Sequence, residues 1–310
     1  MEYVIETVDL VKRYGHRRAL DGLTLKVPSG SVLGLVGPNS AGKTTWMMTV
    51  AGFILPTSGS IDILGQGPFS ADRHSGRLSI LPQDSDLPLE SHPADLLIHY
   101  GRLQGLPARE AARSADEILR AVNLADRAHM PIRALSHGMR KRVMIAQCFI
   151  GYPEVVLLDE PLSGLDPREV ARMRDFLLAR RGRVTVVISS HNLNEIETLC
   201  THVAFVEKGQ VERVETLERL TQSASRLVYR LARPLQDLDA LRRLLPEARF
   251  EWSEEEMTLA CSFDETREQV ERVNRIVVPH LLEQSGLLAI ERGSSLEQAY
   301  LKAEEIRLKD

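Results

Sequence analysis

The sequence has no apolar segment long enough to cross a bilayer. Its longest apolar runs, such as Val155 to Leu158 and Val184 to Ile188, are only strand-length, whereas a spanning helix needs about 20 apolar residues. Cysteine is scarce: Cys148, Cys200 and Cys261 lie far apart and form no CxxC pair. That excludes a disulfide scaffold, gives no support to a zinc site and fits a reduced, cytosolic chain. A basic excess is also missing, since the net charge is −4 with 26% charged residues. Dedicated nucleic-acid binders carry a basic stripe, so no nucleic-acid partner is expected. The arginine clusters at Arg180, Arg181 and Arg183, and at Arg140 and Arg142 around Lys141, are short and have acidic neighbours, as solvated faces do. The first residues, Met1 to Glu6, lack a basic segment leading into an apolar one and read as no signal peptide.

What is present suits a folded chain of two domains: 310 residues with 43% hydrophobic content. Val32 to Val36, Val155 to Leu158 and Val184 to Ile188 are nearly continuous apolar runs, the pattern of parallel strands covered on both faces. Between them, residues from about 88 to 147 change to helical periodicity. Leu96, Leu97, Tyr100 and Leu103 fall on one face, and Ile118, Leu119, Val122 and Leu124 on another. This predicts a helical subdomain inserted into an α/β core.

A polar stretch, Thr221 to Ser225, marks a boundary, dividing residues 1–220 from 226–310. Beyond it Leu227, Tyr229 and Leu231 alternate with polar residues, as do Met257, Leu259, Cys261 and Phe263, and both read as half-buried strands. Leu235 to Leu245 and Thr266 to Val278 read as helices, with capping-box spacing at Thr266 and Gln269 and again at Ser294 and Glu297. Pro279 should end or kink the second helix. Leu287 to Ile290 supplies a last strand, giving a β-α-β-β-α-β order plus a final helix. A small α+β domain of ferredoxin-like type is therefore expected at the C-terminal end.

Chemistry enters at Gly37-Pro38-Asn39-Ser40-Ala41-Gly42-Lys43-Thr44, followed by Thr45, which fits G-x-x-x-x-G-K-[ST] at every fixed position. It follows a strand and opens a helix, the context this phosphate loop requires. Backbone N–H groups wrap the phosphates and the helix N-terminus adds positive charge. Lys43 should reach the β- and γ-phosphates, and the Thr44 hydroxyl should bind Mg2+. A second apolar strand ends in two adjacent acids, Asp159 and Glu160. Carboxylates there are costly unless a cation compensates them. Asp159 is placed for Mg2+ and Glu160 for orienting and deprotonating the attacking water.

At this point residues 1 to about 215 resemble the ATP-binding subunits of ABC transporters. Five further elements carry the likeness: Tyr14, Gln83 in Leu81-Pro82-Gln83-Asp84, Leu135-Ser136-His137-Gly138-Met139-Arg140, Ser163-Gly164-Leu165-Asp166, and His191 after Ser189-Ser190. The resemblance implies a RecA-like P-loop NTPase core with ATP and Mg2+ as cofactors. Tyr14 would stack on adenine. Gln83 would sense Mg2+ and the γ-phosphate near the membrane-subunit contact, and His191 would contact the γ-phosphate. Ser136 and Gly138 would open a helix aimed at the γ-phosphate held by a second copy, with Asp166 in the loop that crosses between copies. The implied assembly is a homodimer with two composite sites. It would dock on integral membrane permease subunits at the cytoplasmic face of the inner membrane.

Two departures stand out in the signature loop, where His137 replaces the usual glycine and Met139 the usual glutamine, while Ser136 and Gly138 are kept. Ser40 replaces a glycine common in the phosphate loop, and if φ there is positive the strain is about 1 kcal/mol. Ser294 to Leu301 resembles the tail of ABC-2-type exporter subunits, which implies export and makes the C-terminal region an accessory or dimerisation domain. The alternative is a soluble ABC ATPase acting on nucleic acid or ribosomes. Such chains carry a long coiled coil between the phosphate loop and the signature, or two ATPase halves. Here no heptad run lies between Lys43 and Ser136, and each motif occurs once.

Overall fold

The structure is a computed structural model that describes residues 2–222, 225–263 and 267–292. The chain forms two compact units, Met1–Val214 and Glu215–Asp310.

The first unit opens on two long strands, β1 (Tyr3–Tyr14) and β2 (Arg17–Pro28). In β2, Leu23, Leu25 and Val27 are buried with Thr24 and Lys26 exposed between them, the alternation of a sheet with one wet face. Then come β3 (Val32–Val36), α1 (Lys43–Val50), β4 (Ser58–Ile63), the short α2 (Ala71–His74) and β5 (Leu78–Leu81). Helices α3 (Pro93–Leu103), α4 (Ala108–Ala121) and α5 (His137–Gln147) form the inserted helical segment, with two 3-10 turns between the last two. The unit closes with β6 (Val155–Asp159), α6 (Pro167–Leu178), β7 (Thr185–Ser189), α7 (Leu193–Leu199), β8 (His202–Glu207) and β9 (Gln210–Thr216).

The main sheet has the order β5-β6-β7-β3-β8-β9, and β3 pairs in parallel with both β7 and β8. Every residue of β3, β6 and β7 is buried, as their apolar runs predict. A separate antiparallel sheet, β2-β1-β4, was not legible in the sequence. Trp46, Met47 and Val50 of α1 share one core with side chains from both sheets. The Trp46 indole donates to the fully buried Thr7 hydroxyl of β1 at 3.2 Å. The helix that opens the phosphate loop is thereby anchored to a second layer.

In the helical segment Leu96, Leu97, Ile118, Leu119, Val122 and Leu124 are buried as expected, but Leu103 is 67% exposed. The close approach at that end of α3 is made by Gly101, where an added Cβ would lie 3.1 Å from the Ala111 side chain of α4. The buried face of α3 thus runs through Leu97 and Gly101, and Leu103 lies off it.

The second unit contains α8 (Leu217–Gln222), β10 (Ser225–Leu231), α9 (Leu238–Leu244), β11 (Arg249–Ser253), β12 (Thr258–Phe263), α10 (Arg267–Gln284) and β13 (Leu287–Arg292). Its sheet order is β11-β12-β10-β13 with antiparallel pairing throughout. That is the split β-α-β arrangement foreseen from the periodicity. Leu227, Tyr229, Leu231, Leu259, Cys261 and Phe263 fill its core from the alternating positions.

Three details differ from expectation. The strand β11 was not located by its pattern. Met257 lies in the turn ahead of β12 with φ +53°. Of the two outcomes expected at Pro279, an end or a kink, the end does not occur, since helix α10 runs through it to Gln284. Its buried stripe, Val273, Val277 and Leu281, continues across the proline, which sits on the solvent side. Packing against the sheet outweighs the one lost backbone bond. The capping pairs at Thr266 and Ser294, the final helix and the tail Ser294 to Leu301 lie outside the described residues.

Candidate active site

The phosphate loop links β3 to α1 and leaves its glycines little choice. Gly42, at φ +111°, is the N-cap of α1, and a Cβ there would meet the Ala19 carbonyl of β2 at 2.7 Å. A Cβ on Gly37 would fall 2.0 Å from the Val206 carbonyl. Ser40 does adopt a left-handed backbone, φ +68°, so the roughly 1 kcal/mol strain anticipated at this position is present. From the other side Gly209 donates its N–H to the Ala41 carbonyl at 2.8 Å. Neighbouring backbone thus holds the loop between β2 and the β8–β9 turn.

Lys43 curls back over the loop and donates to the Gly37 carbonyl at 2.6 Å and the Pro38 carbonyl at 3.1 Å. Burial pushes its ammonium below the usual lysine value, while Glu160 and Asp159 push the other way. Lys141 of α5, also buried, shows the same balance with the same two carboxylates. The cluster of Arg140, Lys141 and Arg142 was expected to form a solvated face, and the burial of Lys141 and Arg142 corrects that.

Asp159 ends β6 and lies in register with Ser189 at the end of β7. The fully buried Ser189 hydroxyl donates to Asp159 Oδ1 and accepts the Glu160 backbone N–H at 2.9 Å. Asp159 Oδ2 is buried and makes no hydrogen bond. Glu160 occupies a left-handed backbone, φ +49°, a strained conformation of the kind that clusters at functional sites. Its side chain is 10% exposed and its Oε2 lies 3.0 Å from His191 Nδ1.

These groups meet around one cavity of about 540 Å3. It is lined by Asn39, Ser40, Ala41, Gly42, Lys43, Thr44 and Thr45 of the loop, by Gln83, Asp159, Glu160 and His191, and by Arg17, Ala19 and Ser163. Arg17 and Ala19 were missed, because they come from β2 rather than from the strand–turn–helix unit itself, while Ser163 was noted only as part of the loop expected to cross between copies. Tyr14 sits outside the lining, at the exposed end of the β1–β2 hairpin, with the Lys12 ammonium 5.1 Å from its ring centre.

Ser136, Gly138 and Asp166 are also absent from the cavity. Ser136 caps α5, its hydroxyl accepting from the Met139 N–H at 3.2 Å. Asp166 caps α6, accepting from the N–H groups of Arg168 and Glu169 at 2.9 and 3.0 Å. Two helix N-termini therefore stand beside one another, outside the cavity of the phosphate loop.

Comparison with known proteins gives this arrangement its context. The family profile described as ABC transporter matches residues 20–163. The Nod factor export ATP-binding protein I of Ralstonia nicotianae is 31% identical over 99% of this chain and 95% of its own length. The daunorubicin resistance ATP-binding protein of Streptomyces coeruleorubidus is 38% identical over 67% of each chain. Among solved structures, a dimeric ATP-binding cassette in a post-hydrolysis state with ADP and Pi shares the fold with a TM-score of 0.62. It is 21% identical, covering 69% of this chain and 98% of that one.

Proposed function

The chain belongs to the ABC transporter family of ATP-binding proteins, and on that premise we propose that it drives an exporter as an ATP-dependent homodimer docked on separate membrane subunits. It is the subunit that binds and hydrolyses ATP. Export follows the relatives, whose names concern Nod factor export and daunorubicin resistance. Those cargoes differ from each other, and no cargo is assigned to this chain. Among the described residues no helix is long and apolar enough to cross a membrane; in this reading the translocation path belongs to integral membrane partner subunits, and this chain docks on them at the cytoplasmic face of the inner membrane.

The observation that carries the mechanism is Glu160, bound through its backbone to Ser189 and through its carboxylate to His191, on the wall of the cavity that contains the phosphate loop. In this reading Lys43 and the loop N–H groups hold the phosphates, and Tyr14 stacks on the base. Asp159 Oδ2, the Thr44 hydroxyl and the Gln83 amide form a hard oxygen donor set that fits Mg2+. The buried carboxylate oxygen without a partner is the clearest sign of that fit. The ion would neutralise charge on the β- and γ-phosphates. Glu160 orients the attacking water and accepts its proton, with His191 beside it. Ser136 and Gly138, with Asp166 alongside, face the nucleotide of the second copy, in keeping with their place at helix starts outside this chain's own phosphate cavity.

Glu160→Gln should retain ATP binding and trap the dimer. Size-exclusion chromatography with light scattering in Mg-ATP tests this, and a purely monomeric profile would overturn the paired-site reading.

A further inference from the structure

We infer that Glu169 and Arg142 are positioning residues that join the two loops offered to the partner's nucleotide, those of Ser136 and Asp166, into one preassembled edge. The inference rests on the paired-site reading above. Neither residue touches the cavity.

Glu169 lies in the first turn of α6, and its own N–H is one of the two that the Asp166 side chain caps. Its side chain packs on the start of α5. A Cβ added to Gly138 would lie 3.1 Å from Glu169 Cγ and 3.5 Å from Cδ. The glycine therefore does two things: it leaves the helix N-terminus open and lets α6 come close. The second loop contact runs the other way, since a Cβ on Gly164 would lie 3.5 Å from His137 Nε2.

Arg142 completes the junction. Its Nε lies 2.7 Å from Glu169 Oε2, with the two side chains 3% and 13% exposed. These two atoms make no hydrogen bond, so the contact is an ion pair rather than a directed bond. The directed bonds go elsewhere: Arg142 Nη1 donates to the Val122 carbonyl at 2.7 Å and the Asn123 carbonyl at 3.1 Å, just past the end of α4. Glu169 Oε1 meets the half-exposed Arg172 at 2.7 Å. Three elements (α4, α5 and α6) therefore converge on one buried arginine and one carboxylate.

Burial pushes the Arg142 guanidinium below its usual value, with Glu169 the largest opposing influence. A buried pair of this kind is weak evidence for stability, and its best-attested use is to fix one arrangement among several. Here the arrangement fixed is the spacing of two loops that must reach a second molecule's phosphates together. Preorganised donors of that sort cost no reorganisation when the charge develops.

The test uses the full chain with Glu169→Gln, and with Arg142→Met plus Glu169→Leu, which removes both charges at similar volume. A control, Arg172→Gln, alters only the exposed partner. Nucleotide affinity is read with a fluorescent ATP analogue, ATP-driven dimerisation in the Glu160→Gln background, and kcat by phosphate release. Positioning predicts monomer affinity within twofold of the parent and a kcat at least tenfold lower for both Glu169 variants. Dimerisation should also shift to higher ATP. The double variant also loses the Arg142 bonds to the Val122 and Asn123 carbonyls, so every assay is run well below its melting temperature with circular dichroism matching the parent's, separating geometry from folding, and the control should stay within twofold. Parent-like kcat and dimerisation in the double variant would overturn the inference while leaving the paired site intact. Absence of an ATP-driven dimer in the Glu160→Gln parent would overturn both.

Discussion

Ser189→Ala is the sharpest test of how the site is held, because Ser189 has no expected contact with nucleotide and joins two groups that have. The substitution removes one hydroxyl and leaves the Glu160 N–H and Asp159 Oδ1 without the partner they share. Both hydrogen bonds are buried at the strand end, although the two residues also line the cavity. A neutral buried donor left unpaired costs about 1–3 kcal/mol, and a charged acceptor more. Asp159 is already short of one partner at Oδ2, so no spare bond compensates. The expected loss is about 3 kcal/mol in the first unit. The chain has two tryptophans, Trp46 in the first unit and Trp252 in the second. A Trp252→Phe background makes Trp46 fluorescence report urea unfolding of the first unit alone. The left-handed backbone of Glu160 also loses its tether, so kcat should fall at least tenfold, or about 1.4 kcal/mol of barrier. Nucleotide affinity, set by the phosphate loop, should change far less. A loss under about 1 kcal/mol together with kcat within twofold would refute the role given to Ser189.

Gly42→Ala should abolish nucleotide binding and destabilise the first unit by about 2 kcal/mol, since a Cβ would collide with the Ala19 carbonyl at a positive φ. Titration with a fluorescent ATP analogue and Trp46-detected unfolding measure the two effects. Pro279→Ala should stabilise the second unit by about 1–3 kcal/mol, because it restores a backbone donor in a helix that already runs through this position. Trp252 fluorescence in a Trp46→Phe background reads it. Burial pushes the thiols of Cys148 and Cys261 up to about 12, and that of Cys200 higher still. All three should resist alkylation in the native chain and react once it is unfolded. The unfolded thiols ionise first, so the folded state binds more protons in this range. The stability the thiols contribute is therefore intact below about pH 8.5 and falls as pH rises toward 12. Urea midpoints at pH 7, 9 and 10 would show it, and a midpoint rising with pH would contradict the sign.

The phosphate loop, Asp159, Glu160 and His191 were legible because each sits in a short contiguous pattern, a buried strand running into a turn whose residue types are dictated by the chemistry. Groups that depend on strand order were not. Ser189 stands beside Asp159 only because β6 and β7 are neighbours in register. Arg17 and Ala19 line the cavity only because an antiparallel hairpin far back in the sequence comes up beside the phosphate loop. No local period encodes either fact. Periodicity also misled at Leu103, which lies off the buried face through Leu97 and Gly101, and at Pro279, carried by the stripe on either side of it. The same distinction separates the two halves of the catalytic apparatus. The half that holds its own nucleotide is written in runs of adjacent residues. The half proposed to face the partner would depend on Glu169 and Arg142, 27 positions apart, which meet beside Gly138, where a Cβ would crowd the Glu169 side chain. A substitution search restricted to the motifs would therefore find the residues that bind ATP and miss those that set the distance between the two loops.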